Sequence, residues 1–447
     1  MIMKILSIIA QKPSSTGSGV YLSELVRCFK EMGHEQEIIC AAYEGDTVGA
    51  NINVAHIVRD DGVGANACGA LCMGELCEPV YNKIIFNTKE LPIKIAGMSD
   101  VMPYESMRYS ELACDEKKLS LWMNAFDKKV REVLDRFKPD LIICHHLYLL
   151  TALVVDIVSE GSQCFAPTGE GGLLKFAPTK PLVYGICHNT DLRQYQQTNL
   201  KRDFIKENIK KLDKCFFLSQ ENADNGIGLF GLDKSKVEII GIGYNNKLFI
   251  NNRAGSQCVD PTEKLLFVGK VCRKKGVLSL VKAINLLDDE NIELDIVGGA
   301  GNKDEYDEIV CESKKTKSKI NFLPPMTQDK LAIEYNNHDI FILPSFFEGM
   351  PLVPLEAMAC GCKVVISDLP GVKKFYDANV KNASIKYVEL PKLTNVDEAS
   401  DEDLDAFEKR LASAIRESVD DKKTYKPDLS SISWESIARK IVTCGLA

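Results

Sequence analysis

Residues 344–361 read Pro344-Ser345-Phe346-Phe347-Glu348-Gly349-Met350-Pro351-Leu352-Val353-Pro354-Leu355-Glu356-Ala357-Met358-Ala359-Cys360-Gly361 and place two carboxylates eight positions apart. The short apolar run Ile340–Leu343 before them has the length of a strand. Gly349 frees the backbone to turn, and Pro354 suits the first turn of a helix. The stretch therefore predicts a strand, loop and helix junction, with Glu348 in the loop and Glu356 on the helix.

The groups gathered at this junction suit a ligand that carries phosphates and hydroxyls. Amides at a helix N-terminus lack partners within the helix and can donate to phosphate or hydroxyl oxygens. A carboxylate can accept two hydrogen bonds from adjacent hydroxyls of a ring. Two glutamates at this spacing alone would be weak evidence, and a loop that merely caps a strand is the alternative. Because the glycine, the prolines and the apolar flanks all agree, the pattern favours a sugar-nucleotide site.

The same stretch resembles the motif of retaining glycosyltransferase family 4, in which two glutamates are separated by seven residues. The family's usual form is Pro-Ser, then Glu-Gly-x-Pro, then Leu-Glu-Ala-Met-Ala-x-Gly. The resemblance implies that Glu356 binds the ribose hydroxyls of the donor nucleotide. It also implies that Glu348 and the backbone amides of Gly349, Met350 and Leu352 orient the donor sugar. The family keeps the anomeric configuration and needs neither a metal ion nor another cofactor.

A basic turn supplies the charge that a diphosphate leaving group requires. Residues 269–276 read Gly-Lys-Val-Cys-Arg-Lys-Lys-Gly, follow a predicted strand and open a predicted helix. The family usually has Gly-Arg here and then Lys-Gly, so the resemblance assigns the catalytic cations to Lys270 and Lys275. Lysine at 270 replaces the expected bidentate fork by a point charge, which leaves open whether Arg273 shares the task. The alternative is a solvated basic turn.

The first strand and the strand that follows residue 138 end in further candidates. Gly17 and Gly19 follow the predicted strand 4–10 in a loop before a helix, where the backbone can approach the donor closely. A turn without a ligand would look the same, so their weight comes from position. His145 ends the strand 139–146, and the resemblance places it near the donor sugar. His188 and Asp191 end the next strand and are assigned to the acceptor side, although this chain has Asn189 where the family commonly has glycine.

Strands and helices alternate twice along the chain, which predicts an α/β protein of two doubly wound, Rossmann-like domains. The resemblance adds that the two domains face a cleft, as in the glycosyltransferase-B (GT-B) architecture. We expect an acceptor-side domain at residues 1–250 and a nucleotide-sugar domain at 262–430. The last segment, 431–447, is expected to form a helix that returns to the first domain.

Composition excludes some classes of protein. The 447 residues carry a formal net charge of −8, which argues against general binding to nucleic acid. No apolar run reaches the roughly 18 residues that a membrane span needs, so we expect a cytoplasmic protein. A helix near 201–212 is basic on one face, so peripheral contact with anionic lipid is one interpretation, but a packed surface helix is favoured. The oligomeric state does not follow from the sequence.

The 16 cysteines suit a reducing compartment, because many lie in apolar strand patterns. Cys68, Cys72 and Cys77 form a looser group without a visible fourth metal ligand, and a metal site there is the less favoured interpretation. Residues 51–118 suggest no chemistry of their own.

The sequence thus predicts a retaining, metal-independent glycosyltransferase that moves a sugar from a nucleotide-diphosphate sugar to a glycan, lipid or small-molecule acceptor. Two alternatives stay open at this point. One is a sugar-nucleotide epimerase or phosphorolytic enzyme of the same architecture, and the other is a protein that binds a sugar nucleotide without turning it over.

Overall fold

The structure is a computed structural model that describes residues 2–47, 77–98, 102, 104–163, 180–253, 262–394, 398–430 and 432–444. The chain divides into two compact units. Unit 1 comprises Met1–Phe217, Asn222–Ile240 and Ala438–Ala447, and unit 2 comprises Leu218–Glu221 and Gly241–Ile437. The expected domain limits at 250, 262 and 430 remain a prediction beside these units.

Unit 1 is built on a seven-stranded parallel sheet. The strands of this sheet are β1 (Lys4–Ile9), β2 (Glu35–Ala42), β3 (Val80–Ile85), β6 (Leu141–His145), β7 (Leu182–Ile186), β8 (Lys214–Phe217) and β9 (Val237–Ile239). A separate two-stranded sheet consists of β4 (Ala96–Gly97) and β5 (Met107–Arg108). The sheet order is β3-β2-β1-β6-β7-β8-β9, and β4 pairs only with β5. The strands β1 and β6 are buried along most of their length, as expected of a parallel sheet covered on both faces.

The helices before residue 231 are α1 (Gly17–Glu31), α2 (Tyr109–Ala113), α3 (Glu116–Phe137), α4 (Leu149–Gln163), α5 (Thr190–Gln197), α6 (Arg202–Ile209) and α7 (Gln220–Phe230). Helix α3 starts at the cap residue Asp115, whose carboxylate accepts from the amides of Lys117 and Lys118. Its apolar stripe buries Trp122 and Phe126 completely, with ring centroids 4.5 Å apart. This contact anchors α3 in the core of unit 1.

Unit 2 contains a six-stranded parallel sheet and most of the remaining helices, whereas the last helix begins in unit 2 at Trp434 and belongs to unit 1 from Ala438 onward. The strands are β10 (Glu263–Val268), β11 (Ile292–Val297), β12 (Lys319–Leu323), β13 (Ile340–Leu343), β14 (Lys363–Ser367) and β15 (Ile385–Val388), in the order β12-β11-β10-β13-β14-β15. The helices are α8 (Val277–Leu287), α9 (Lys303–Glu312), α10 (Gln328–Asn337), α11 (Val353–Ala359), α12 (Val372–Asn379), α13 (Asp401–Asp420) and α14 (Trp434–Thr443).

The predicted class of fold is confirmed, since both sheets are parallel and doubly wound. One local expectation is corrected. Gly17 and Gly19 lie in the first turn of α1 and not in the loop before it, because the Thr16 hydroxyl caps the helix by accepting from the amide of Gly19. In unit 2, Glu408 of α13 is buried and contacts Lys282 and Ser279 of α8.

No helix in the described ranges is long and apolar enough to cross a membrane. Two lysines of the basic segment near α6 have partners within that segment: Lys210 pairs with Glu207, and Lys211 donates to Asn208. Of the three grouped cysteines, Cys68 and Cys72 lie outside the described residues, and Cys77 is an exposed free thiol.

The anchor role of Trp122 predicts a large effect of one substitution. Trp122→Ala should lower the free energy of unfolding by about 3–5 kcal/mol, because it removes a fully buried ring from the core. The neighbouring Leu121 is 37% exposed, so Leu121→Ala is a matched control and should change stability by less than about 0.5 kcal/mol. Urea unfolding followed by circular dichroism measures both, and similar losses in the two variants would contradict the packing described.

Candidate functional site

In each sheet the strand order reverses at one point, and predicted site residues lie at that point. In unit 1 the chain order reverses between β1 and β6, and in unit 2 between β10 and β13. Ligands of open α/β sheets bind outside the carboxyl ends of the strands at such switch points. Gly17 follows β1 and His145 ends β6, whereas Lys270 follows β10 and Glu348 follows β13. Each unit therefore presents its predicted residues at its own switch point.

In unit 2 the basic turn and the glutamate loop are in close contact. Gly276 has a φ of +68°, and a Cβ on it would lie 2.0 Å from the carbonyl oxygen of Pro344. The amide of Phe346 donates to the carbonyl of Lys274 at 3.1 Å. Only glycine at 276 permits this approach, so the position of one loop determines that of the other.

This contact brings two predicted catalytic residues together. Lys275 Nζ lies 2.5 Å from Glu348 Oε1, and the Ser345 hydroxyl donates to the same oxygen at 2.9 Å. The side chains of Lys275 and Glu348 are 31% and 16% exposed, so the pair lies at the surface of the switch point and is open to a ligand. Charge-assisted hydrogen bonds of this kind are strong, which explains how the loop keeps its shape without a ligand.

Lys270 lies close enough to Lys275 for their charges to interact. Burial lowers the pKa of Lys270, and repulsion from Lys275 lowers it further. Both effects disfavour the ammonium form, so an anion placed between the two lysines would relieve them. Lys270 and Lys275 thus place two positive charges near each other in the turn after β10.

A second glycine-rich turn borders Lys270, and the sequence analysis did not single it out. Residues 298–301 follow β11, and a Cβ on Gly298 would lie 1.7 Å from the carbonyl oxygen of Gly269. A Cβ on Gly301 would lie 3.3 Å from the Lys270 side chain. The signal was present, because Gly-Gly-Ala-Gly directly after a strand is a typical ligand-side turn of a Rossmann-like sheet.

Arg273 is directed to a different element from the two lysines. Its guanidinium forms a two-pronged ion pair with Glu308 of α9, with contacts of 2.6 to 3.2 Å, and its amide donates to Glu305. A role at the diphosphate would require Arg273 to leave Glu308. Its share in donor binding stays a prediction.

Glu356 is buried on α11 and shares its carboxylate with a tyrosine. The hydroxyl of Tyr335 on α10 donates to Glu356 Oε2 at 3.2 Å, and the Tyr376 hydroxyl donates to the carbonyl of Pro351 at 3.1 Å. Both tyrosines are fully buried. They brace the motif from neighbouring helices, and sequence alone did not reveal them because neither belongs to a recognisable pattern.

The amides after Glu348 are not used in bonds within the described protein. In the described part of the chain, the N–H groups of Gly349, Met350 and Leu352 donate no hydrogen bond to other protein groups. They therefore remain available to oxygens of a ligand. Their contact with a donor sugar stays a prediction.

The glycines of unit 1 differ in what they permit. A Cβ on Gly19 would lie 2.8 Å from the carbonyl oxygen of Lys12, so this glycine is required by the packing of the first turn of α1 against the loop before it. A Cβ on Gly17 would meet no atom within 4 Å, which leaves open space beside it at the end of β1. The space beside Gly17 is compatible with the close approach of a donor. For both Gly17 and Gly19, contact with a donor stays a prediction.

Three buried histidines meet at the ends of β6 and β7. His145 Nδ1 lies 3.0 Å from His188 Nε2, and the two rings stack at an angle of 13°. The ring of His146 packs against His188 with centroids 4.8 Å apart. Burial and the neighbouring His146 lower the pKa of His145 to about 3, so the imidazole is neutral near pH 7.

His145 Nε2 and both ring nitrogens of His146 are buried and have no hydrogen-bond partner among the residues that the structure describes. Such groups are rare in folded proteins and mark sites where water or a ligand supplies the missing bond. His146 also has a φ of +72°, an uncommon conformation for a residue with a side chain. The structure brings His145 and His188 together, as adjacent strand ends require.

Asp191 lies beneath these histidines and is completely buried. Its carboxylate accepts from the amides of Leu147 at 2.6 Å and His188 at 3.1 Å, and from the Cys187 thiol at 3.4 Å. These bonds tie together the segments that follow β6 and β7. In this arrangement Asp191 positions the backbone of His188, and its predicted contact with an acceptor is untested.

One group of residues in the described ranges has the composition of a metal site: Asp295, Glu334 and His338. Both ring nitrogens of His338 already have protein acceptors, with the Glu334 carbonyl at 2.7 Å and Asp295 Oδ2 at 3.1 Å. Asp295 also accepts from Asn321 at 2.7 Å. These contacts describe a hydrogen-bonded brace between α10 and β11, so the group is not assigned to a metal.

Comparison with protein families gives a match for the second half of the chain. Residues 250–402 match the family described as glycosyl transferases group 1. An uncharacterised glycosyltransferase of Methanocaldococcus jannaschii is 28% identical over 217 residues, which are 45% of this chain and 55% of that protein. A D-inositol 3-phosphate glycosyltransferase of Pseudarthrobacter chlorophenolicus is 33% identical over 155 residues, which are 32% of this chain and 37% of that protein. The chain thus spans about half, or less, of these relatives.

Solved structures resemble the whole chain. Sucrose-phosphate synthase from Thermosynechococcus elongatus has a TM-score of 0.60 at 17% identity, with 99% of this chain and 98% of that chain covered. Anabaena HepE in complex with UDP and glucose has a TM-score of 0.62 at 13% identity, with both chains fully covered. At such identities the likeness concerns the fold. Residues 250–402 thus match the group 1 glycosyltransferase family, and the whole chain shares its two-sheet α/β fold with these solved structures.

Proposed function

We propose that this protein is a retaining glycosyltransferase that uses a nucleotide-diphosphate sugar and needs no metal ion. The observation that carries the proposal is the array at the switch point of unit 2, where Lys270, Lys275 and Glu348 lie together on two interlocked loops. Two cations and a carboxylate there suit a diphosphate and the sugar attached to it. The titles of related structures, which name UDP and UDP-glucose complexes of HepE, favour a nucleotide sugar as the donor.

In the proposed reaction the bond between the anomeric carbon and the diphosphate oxygen breaks, and the nucleoside diphosphate leaves. The acceptor hydroxyl oxygen bonds to the same carbon on the same face, and its proton passes to a phosphate oxygen. Lys270 and Lys275 stabilise the charge that develops on the leaving group, which is commonly the largest contribution of such a site. Glu348 and the free amides after it orient the sugar, and Glu356 binds the ribose hydroxyls.

His145 is assigned to the donor sugar in this proposal. Its neutral imidazole offers a hydrogen bond to a hydroxyl and adds no charge to the reacting centre. His188 holds the Nδ1 side of that ring, so that the Nε2 side is the one left for a ligand. Because Nε2 is buried in this structure, contact with a sugar requires a local opening around His145.

A thermal-shift screen against nucleoside diphosphates and their sugar conjugates tests the donor class. A donor present at a free concentration of 100 times its Kd should stabilise the protein by about 2.7 kcal/mol, and the melting temperature should rise accordingly. The same rise in the presence of EDTA is expected if the lysines replace a metal. No shift with any nucleotide would count against the proposal, and a shift abolished by EDTA would contradict its metal-free form. Proton NMR of the product's anomeric signal checks retention.

Lys275→Ala should reduce the transfer rate by about 100- to 1,000-fold, because it removes one of the groups that stabilise the leaving diphosphate. Lys314 is an exposed lysine of the same unit, and Lys314→Ala is the matched control with unchanged activity expected. Steady-state kinetics with radiolabelled donor measures both variants. Wild-type kinetics for Lys275→Ala would remove Lys275 from the catalytic site.

The lowered pKa of Lys270 predicts how donor binding depends on pH. Its ammonium form binds the diphosphate and is lost as pH rises through the lowered pKa. The affinity for nucleotide should therefore fall at a lower pH than it would if Lys270 had the pKa of an ordinary lysine. Lys270→Arg stays charged throughout and should keep its affinity over that range. Calorimetric titration at several pH values measures both proteins, and a parallel fall in the two would show that another group is responsible.

A further inference from the structure

A cavity of about 650 Å³ opens in unit 1 at the carboxyl ends of β2 and β3, apart from every residue assigned above. One wall is Tyr43–Asp46 after β2, and the other is formed by Lys83 and Ile85 of β3 with residues 87–90 beyond it. Its volume is in the range of small-molecule sites. The cavity lies on the edge of the sheet formed by the carboxyl ends of the strands, where such folds bind ligands, but beside the switch point between β1 and β6 and not at it.

The wall after β2 is rigid and polar. The Asp46 carboxylate accepts from the amide of Tyr43 at 2.7 Å and pairs with Lys12 Nζ at 2.7 Å. The same ammonium group lies 4.6 Å from the centre of the Tyr43 ring. Gly45, with a φ of +83°, closes the turn between them. These contacts fix an aromatic ring and a carboxylate side by side before any ligand binds.

The opposite wall is also held in place. The Lys83 ammonium donates to the carbonyl of Asp46 at 3.0 Å, which links the two walls. The amide of Asn87 donates to Ile93, and the Thr88 hydroxyl accepts from the amide of Leu91 at 3.0 Å. A preformed cavity loses little free energy in ordering its side chains on binding.

The charges around the cavity balance. The lining residues include three carboxylates, Glu44, Asp46 and Glu90, and two lysines, Lys83 and Lys89. Lys12, which pairs with Asp46, supplies the third positive charge. A site for phosphate would carry an excess of cations. A neutral ligand with many hydroxyls, able to use donors and acceptors of both signs beside an aromatic ring, matches this lining better.

The distance from the histidine cluster sets the length of such a ligand. In the sheet order, β2 and β3 are two and three strands from β6, which ends in His145. With strands spaced about 4.8 Å apart, the cavity lies roughly 10–14 Å from the end of β6. A single sugar ring with its reacting hydroxyl near His145 would be too short to reach the cavity.

We propose that this cavity is a distal acceptor subsite that binds a neutral sugar ring, and that the acceptor is an uncharged glycan of at least two rings. The inference rests on the proposed function and adds the class of acceptor to it. The ring distant from the reacting hydroxyl lies against Tyr43, with its hydroxyls between Asp46, Lys83 and Thr88.

The test uses the purified full chain on an array of neutral mono-, di- and trisaccharides and their phosphorylated counterparts, in the presence of UDP. We expect the protein to bind neutral glycans of two or three rings on the array. Glu44→Trp fills the cavity from an exposed lining position and should weaken that binding at least tenfold. Glu116→Trp, an exposed position at the start of α3, is the matched control and should bind like the wild type.

The inference would be overturned if the protein bound no neutral glycan, if Glu44→Trp bound glycans as well as the wild type, or if phosphorylated glycans were preferred. Thermal shifts with nucleoside diphosphates on the same three proteins separate it from the proposed function. An intact nucleotide shift with a blank array overturns the acceptor subsite alone. An absent nucleotide shift counts against the glycosyltransferase itself.

Discussion

The arrangement of the donor-side residues depends on one close approach of two backbones, that of Gly276 to the carbonyl of Pro344. No residue with a side chain fits this contact, because a Cβ would lie 2.0 Å from the oxygen. It joins the turn after β10 to the loop after β13, and these two strands are neighbours at the switch point of the sheet. The pairing of Lys275 with Glu348 follows from it. The charged groups are thus placed by backbone packing and need no long side-chain network to hold them.

Unit 1 solves a similar problem with buried polar groups. Asp191 holds the backbone after β6 and β7, and the imidazoles of His145 and His188 meet above it. Burial keeps the pKa of these rings low, so the cluster is neutral and can lie in the core without paired charge. The nitrogens of His145 and His146 that have no hydrogen-bond partner among the described residues are the cost of this arrangement.

Much of this could be predicted from sequence because it is encoded locally. The apolar runs predicted the strands, and Gly276, Glu348 and Glu356 lie in patterns that extend over a few residues. Tyr335 and Tyr376 could not be found this way, since they lie 21 and 25 positions from Glu356 and Pro351, the residues that they contact. The engagement of Arg273 by Glu308 was also hidden, because it depends on how α9 lies beside the basic turn. Contacts set by tertiary packing leave no short-range signal.

The ion pair between Lys275 and Glu348 also bears on product release. If Lys275 holds the leaving diphosphate, the carboxylate of Glu348 is a competitor built into the site for the same ammonium group. Each catalytic cycle then ends with an exchange, in which Glu348 reclaims Lys275 as the nucleoside diphosphate departs. Such an internal competitor weakens the affinity for donor and product alike. Under the proposed function, it would thereby limit inhibition by the nucleoside diphosphate product.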